Sequence, residues 1–319
     1  MSVGDGPQLS LANPRGFCAG VERAIEIVDR ALERFGAPVY VLHEIVHNKR
    51  VLSDLSARGA RFVESLADVP AGAVAIFSAH GVSSAVVEDA KQRGLRTIDA
   101  TCPLVTKVHV QARQYHDAGR EVVLVGHEGH PEVEGTRGRV PGPVHVLSTV
   151  EDVERLAVRD PERVAYVTQT TLSVDDTRPV IEALNRRFPG IAGPALKDIC
   201  YATQNRQDAV REMTQDLDVL LVVGSHNSSN SNRLRDMGER AGCASYLIDS
   251  AEDVEPAWLD GAARIGLTAG ASAPEIVVQE VVRRLRQLGA TNVVELPGKD
   301  ENIPVRLPDE LAPGSVERV

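Results

Sequence analysis

Three cysteines, Cys18, Cys102 and Cys200, each stand just ahead of a run with helical periodicity. At a helix start the dipole and the free backbone N–H groups favour a thiolate, the form that ligates metal. A polar loop follows each thiol at nearly constant distance. His47 lies 29 residues after Cys18, His130 lies 28 after Cys102, and Ser228 lies 28 after Cys200. A lone cysteine is most often a buried structural residue. Three at equivalent places in a repeat point instead to one central site of soft ligands. Cys243, in ERAGCASYLID, has no place in the repeat and reads as structural.

Zinc and an iron–sulfur cluster both suit three thiolates. A structural zinc site takes four closed ligands, often in paired C-x-x-C knuckles, and this chain has no such pair. A four-iron cluster usually takes four cysteines, so three leave one iron open. An open position is what a Lewis-acid site requires, and three widely separated thiols therefore fit a catalytic centre better than a structural pin.

The loops expected beside these thiols are polar and mostly uncharged: HNK, AHG, HEGHPE, TQTT, SHNSSNS and AGASAP. They carry His47, His80, His130, Thr170, Ser228, Ser229, Asn230 and Ser272. With backbone N–H groups at helix starts, such loops suit an anion, and a diphosphate is a natural guest. His127 and His226 share the same loops. Glu132 follows His130; beside a bound anion and away from water its pKa should rise, leaving it able to donate a proton near neutral pH. Single residues also have plainer readings. Ser272-Ala-Pro-Glu275 reads as a capping box, and Ser173 and Asn230 as helix caps.

The elements that position these groups repeat in the same order. Each thiol opens a helix, then an apolar strand runs into a polar loop. The first helix places Val21, Ala24, Ile25, Val28, Leu32 and Phe35 on one face and stops at Gly36. Strands alternating with helices predict an α/β fold with parallel sheets. In such sheets ligands sit beyond the carboxyl ends of the strands, where these loops fall. Three similar small α/β domains are expected: 14–100 with Cys18, His47 and His80; 101–196 with Cys102, His130, Glu132 and Thr170; and 197–289 with Cys200, Ser228, Asn230 and Ser272. Residues 1–13 and 290–319 are set aside as terminal extensions.

The 319 residues carry 45 Asp and Glu against 35 Lys and Arg, a net charge of −10. That balance argues against phosphate-backbone binding, and 3% aromatics leave few platforms for stacking on bases. No nucleic-acid partner is expected. No apolar run approaches the roughly 18 residues of a membrane span. The opening MSVGDGPQLSLANPRGF lacks the basic-then-apolar pattern of a secretory signal, so a cytoplasmic chain is expected. No P-loop and no G-x-G-x-x-G fingerprint is present.

The motifs PRGFCAGV, VHN, SAHGVS, DATCPLVTKVH, GHEGHPEVEGT, QTTLSVDDT, DICYATQNRQ, VVGSHNSSNSNRL and TAGASAPE span residues 14 to about 275. In these the chain closely resembles the LytB/IspH family, the 4-hydroxy-3-methylbut-2-enyl diphosphate reductases. The resemblance implies three α/β domains around a pseudo-threefold axis with a central [4Fe–4S] cluster. Cys18, Cys102 and Cys200 would hold the cluster. His47, His80, His130, Thr170, Ser228, Ser229, Asn230 and Ser272 would hold the substrate, and Glu132 would deliver protons. The implied reaction is reductive dehydroxylation of (E)-4-hydroxy-3-methylbut-2-enyl diphosphate to isopentenyl and dimethylallyl diphosphate, the last step of the non-mevalonate isoprenoid pathway. With no nucleotide fingerprint, electrons are expected from an external ferredoxin or flavodoxin system. Two rivals make other predictions. A zinc hydrolase or lyase would bind zinc and need no reductant. A non-catalytic diphosphate- or iron-sensing module would bind without turnover.

Overall fold

The computed structural model describes residues 6–194, 197–301 and 303–311. The expected domain boundary at 196, and residues 1–5, 302 and 312–319 of the extensions, lie outside the described residues. In chain order the elements are β1 (Gln8–Leu11), α1 (Ala19–Phe35), β2 (Val39–Leu42), α2 (Lys49–Ala57), β3 (Ala60–Val63), β4 (Val74–Phe77), α3 (Ser84–Gln92) and β5 (Arg96–Asp99). There follow α4 (Pro103–Asp117), β6 (Glu121–Val125), α5 (Pro131–Arg137), β7 (Val144–Leu147), α6 (Val150–Arg155), β8 (Val164–Thr168) and α7 (Val174–Arg187). The last are α8 (Tyr201–Met213), β9 (Val219–Val223), α9 (Ser229–Arg240), β10 (Ala244–Ile248), β11 (Arg264–Ala269), α10 (Glu275–Gln287) and β12 (Asn292–Glu295).

The strands form three sheets, ordered β10-β9-β11-β1-β12, β3-β2-β4-β5 and β7-β6-β8. Every pairing between them is parallel, as the βα alternation predicts. The central strands read as unbroken apolar runs because both faces are covered. In β9, Val219, Leu221 and Val223 enter one core with Val277, Val278, Val281 and Leu285 of α10. Leu220 and Val222 point the other way, into a core with Val210 and Met213 of α8 and Leu234 of α9. β6 divides likewise: Val123 and Val125 pack with Leu184 of α7, while Val122 and Leu124 pack with Val108 of α4 and Val133 of α5. Each such buried side chain contributes about 1.5–3 kcal/mol of transfer free energy.

Each sheet also contains a place where the chain changes direction across it. From β2 the chain passes to β3 on one side, and from β4 to β5 on the other. The pairs β6/β8 and β9/β11 make the corresponding break in the other sheets. Such a switch opens a crevice at the carboxyl ends of the two strands. His47 and His80 follow β2 and β4, His130 and Thr170 follow β6 and β8, and Ser228 and Ser272 follow β9 and β11.

The chain forms two compact units. The first comprises Met1–Ala19, His47–Val51 and Tyr201–Ile303; the second comprises Gly20–Val46, Leu52–Cys200 and Pro304–Val319. The sheet containing β9 belongs to the first unit and the other two sheets to the second. No helix among the described residues is long and apolar enough to cross a membrane.

Three sequence expectations shift. Within the stretches set aside as extensions, Gln8–Leu11 and Asn292–Glu295 are strands: β1 lies between β11 and β12 in the first unit's sheet. The alternation of Leu9 and Leu11, both buried, is the reason. The stripe of α1 is rotated from the expected one. Its buried centre is Gly20, Ala24, Ile27, Val28 and Ala31, with Val21, Ile25, Leu32 and Phe35 at the flanks. Small residues let the helix sit close, and the larger ones fill the edges. Finally, Ser272 caps nothing: α10 begins at Glu275 with Pro274 as its N-cap and no side-chain cap.

Candidate functional site

In the first unit, the loops after β9 and β11 meet the segment that begins at His47. The Ser272 hydroxyl, released from any capping role, donates to the His47 carbonyl at 3.0 Å and lies 3.5 Å from Ser228 Oγ. Ser228 is the N-cap of α9, accepting from Ser231 N–H, and Ser231 Oγ donates to it at 3.0 Å. Asn230 is therefore not the cap. It sits in the first turn of α9, 4% exposed, and neither its Oδ1 nor its Nδ2 has a hydrogen-bond partner. A buried amide with both ends unpaired costs stability, and such a group in a native fold calls for a missing partner. Ser229 begins the same helix. Cys18 belongs to this unit too, its amide donating to the Ala271 carbonyl beside Ser272. One further ion pair ties these loops together: Asp249 accepts from Ser225 Oγ at 2.6 Å and from Lys49 Nζ at 2.5 Å.

In the second unit the remaining residues form one run of contacts. Cys102 N–H donates to the Ala79 carbonyl, one residue before His80. The rings of His80 and His130 stand edge to face, 5.8 Å apart. His130 caps α5, its Nδ1 accepting from Glu132 N–H at 3.1 Å. An accepting Nδ1 leaves the proton of the neutral ring on Nε2, which makes that nitrogen a donor. Glu132 Oε1 accepts from Thr170 N–H at 2.6 Å and Oε2 from Thr170 Oγ1 at 3.0 Å. Cys200 N–H then donates to the Thr170 carbonyl at 3.0 Å. The backbone amides of two cysteines, an edge-to-face pair of imidazoles, one carboxyl and one hydroxyl thus form one run of contacts.

Glu132 is 2% exposed, and burial pushes its pKa from 4.5 up to about 7. The two Thr170 donors oppose that rise, and the charge of Asp198 adds to it. A carboxyl poised there can both hold and release a proton near neutral pH. Asp198 is itself buried, its pKa raised by burial and lowered by Thr168 N–H and Lys107.

None of the four cysteines is joined in a disulfide. Cys18 and Cys200 immediately precede α1 and α8, Cys102 is the N-cap of α4, and all three are half-buried. Beside Cys102, Arg23 donates to the carbonyls of Ala100 and Thr101; burial lowers its pKa, against the charges of Cys102 and Asp99. Cys243 differs: it is buried, and burial raises its pKa. Three accessible, reduced thiols at helix starts suit an iron–sulfur cluster, which binds through thiolates. Among the described residues, no three His, Cys, Asp or Glu stand together as ligands of a single metal ion.

Three residues around these groups escape a motif search. Asp198 lies two residues before Cys200, where its charge reads as surface. His109 is buried beneath the Gly81 turn with its pKa lowered to about 4 by burial, so the ring is neutral. Arg206 is wholly buried on α8. Its position offered a signal: Ala202, Arg206 and Val210 share the buried face at four-residue spacing.

The chain is similar to known proteins over most of its length. Residues 9–286 match the family described as "LytB protein". A protein of Azoarcus sp. (strain BH72), named 4-hydroxy-3-methylbut-2-enyl diphosphate reductase, is 60% identical over 307 residues, covering 96% of this chain and 98% of its own. A protein of the same name from Pseudomonas putida (strain W619) is 61% identical over 308 residues, covering 95% and 98%. Among solved structures, the E-1-hydroxy-2-methyl-but-2-enyl-4-diphosphate reductase of Plasmodium falciparum aligns with a TM-score of 0.91 at 39% identity, covering 96% of this chain and 97% of its own. A second, described as (E)-4-hydroxy-3-methyl-but-2-enyl diphosphate reductase, the terminal enzyme of the non-mevalonate pathway, aligns at 0.64 and 33% identity, covering 88% and 99%.

Proposed function

The chain belongs to the LytB family of 4-hydroxy-3-methylbut-2-enyl diphosphate reductases, and from that premise we propose how its own residues carry the reaction. The substrate loses its allylic hydroxyl as water, taking up two electrons and two protons, and leaves as isopentenyl or dimethylallyl diphosphate. Cys18, Cys102 and Cys200 hold a [4Fe–4S] cluster, one thiol from each of the three domains 14–100, 101–196 and 197–289. When bound, such a cluster supplies single electrons and one iron with an open coordination position. The electrons come from a one-electron carrier of the ferredoxin or flavodoxin class, matching the cluster's one-at-a-time chemistry. Cysteines outside disulfides and a cluster of this kind persist in a reducing compartment, and we place the protein in the cytoplasm on that ground.

The polypeptide's part is binding and proton delivery. Asn230, whose buried amide lacks partners, offers two hydrogen bonds that a diphosphate oxygen and a bridging group can satisfy. Ser228 and Ser229 precede it in sequence, and the Ser272 hydroxyl lies between Ser228 Oγ and the His47 carbonyl. His80 and His130 add donors, His130 through its Nε2–H, and Thr170 serves the substrate site by holding the Glu132 carboxyl with both of its donors. Glu132 holds one proton in the buried acid form and gives it to the allyl fragment, and the two Thr170 donors then stabilise the carboxylate left behind. Protonation at one or the other end of the allyl unit decides the product.

The observation that carries this reading is the contact run from Cys102 through His80, His130, Glu132 and Thr170 to Cys200. It supports the reading by joining Glu132, whose carboxyl burial raises to about 7, to the backbone at Cys102 and at Cys200. The test is iron, acid-labile sulfide and zinc per chain on protein prepared without oxygen. About four irons with matching sulfide are expected. Zinc without sulfide would overturn the cluster and move the chemistry to hydrolysis or elimination.

A further inference from the structure

Among the described residues Arg206 is the largest of the fully buried side chains, and every donor of its guanidinium is used. Nε and Nη2 donate to the Gly16 carbonyl at 3.0 and 2.7 Å, and Nη2 also to Phe17 at 3.1 Å. Nη1 donates to the Ala202 carbonyl at 2.9 Å. The same nitrogen meets both oxygens of Glu301, at 3.1 and 3.0 Å. Asn205 Nδ2 donates to Glu301 Oε1 at 2.9 Å. Gly16 and Phe17 are the two residues before Cys18.

The other side of that segment is held as well. Gly16 N–H donates to Ala269 and Cys18 N–H to Ala271, both beyond or at the end of β11. Gly16 adopts φ +68, and a Cβ there would lie 3.1 Å from the Ala273 carbonyl, so the turn takes glycine. The chain after β12 follows this segment closely. Leu296 N–H donates to Leu11, a Cβ on Gly298 would fall 2.1 Å from the Asn13 carbonyl, and Lys299 pairs with Asp208 at 2.9 Å. Glu301 ends this run on Arg206.

We propose that Arg206 and Glu301 are positioning residues for the Cys18 thiol, the buried guanidinium clamping the two carbonyls before it and the late-chain carboxylate holding that guanidinium in place. A buried cation without its carboxylate is strongly unfavourable, so loss of Glu301 draws Arg206 toward water and frees the segment it clamps. The proposal rests on the reading of Cys18 as a cluster ligand. It goes beyond that reading by assigning the firmness of one ligand to a contact 283 residues away in sequence, between Cys18 and Glu301. Cys102 has a clamp of its own, Arg23 on the carbonyls of Ala100 and Thr101, but the Glu301 carboxylate bonds Arg206 and Asn205 and not Arg23, so the signature of its loss is selective for Cys18.

The test uses full-length wild type, Glu301→Ala and Arg206→Lys, with Lys299→Ala as a control in the same stretch. One measurement is the rate at which an iron chelator bleaches the cluster in protein prepared without oxygen. The other is the rate of iodoacetamide alkylation of each cysteine after iron removal, read by peptide mass. Glu301→Ala is expected to release iron about tenfold faster and to raise alkylation of Cys18 relative to Cys200 about tenfold, the loss of a charge-assisted bond. Arg206→Lys should move both in the same direction, while Lys299→Ala, an exposed pair, stays within about twofold of wild type. An unchanged Cys18-to-Cys200 ratio in Glu301→Ala overturns the clamp, even if iron release quickens. So does equal acceleration at all three thiols, which marks general loosening. If Arg206→Lys fails to fold, Glu301→Ala decides alone. Wild type without iron would defeat the cluster reading, and the alkylation ratio would still judge the clamp.

Discussion

Replacing Glu132 by glutamine should stabilise the protein at alkaline pH while removing most turnover. Burial lifts the Glu132 carboxyl from 4.5 to about 7. Its folded pKa is the higher of the two, so its stabilising contribution is fully present below about pH 4.5. That contribution is lost as pH rises through about 7, because the unfolded chain releases the proton that the folded chain retains. A gap of about 2.5 units at 1.36 kcal/mol each is about 3 kcal/mol by pH 8.5. Glutamine has nearly the same shape and never ionises. Its carbonyl can accept from Thr170 N–H, now at 2.6 Å from Glu132, and its NH₂ can donate to Thr170 Oγ1 once that hydroxyl turns. The assay is urea unfolding of both proteins without oxygen at pH 4.5 and 8.5, with turnover measured on a chemical reductant. Glu132→Gln should gain about 3 kcal/mol on wild type between those pH values, and lose roughly 10²–10⁴-fold in turnover. Wild-type turnover should decline above about pH 7, where the Glu132 acid loses its proton. Parallel stability curves for the two proteins across that range would refute the raised pKa and, with it, the proton-donor role.

Asn230→Leu removes a buried amide whose two ends are unpaired; it should stabilise the protein by about 1 kcal/mol in thermal unfolding and raise KM about tenfold. A rise in stability with unchanged KM would take Asn230 out of the substrate site. Gly81→Ala forces a Cβ to 2.5 Å from His109 Cε1 at a backbone φ of +80, and should cost about 2 kcal/mol by denaturant unfolding. Cys102→Ser should lose iron by metal analysis while Cys243→Ser, altering a buried thiol outside the repeat, keeps it; equal iron in both would break the ligand assignment.

Much of the layout was legible in the chain. The unbroken apolar run of Val219–Val223 announced a strand covered on both faces, and the recurring thiol–helix–strand–loop order announced parallel sheets. Short patterns misled where two local rules competed. Ser272-Ala-Pro-Glu275 matches a capping box, yet the helix begins after Pro274 and the serine instead reaches His47. The QLSL and NVVE strands are too short to stand out, and only pairing with β11 and with each other makes them part of a sheet.

Residue types, spacing and period are local properties, and by themselves they determined the fold class, the three thiols, the polar loops and the family. Burial and charge environment are sums over segments far apart in sequence, and only the tertiary structure decided them. Thr170 is 38 residues from the carboxyl it holds. Glu301 is 95 residues from the guanidinium it neutralises. No window of sequence contains both partners of either pair, so neither the poised acid at Glu132 nor the clamp at Arg206 could be read before the chain was folded.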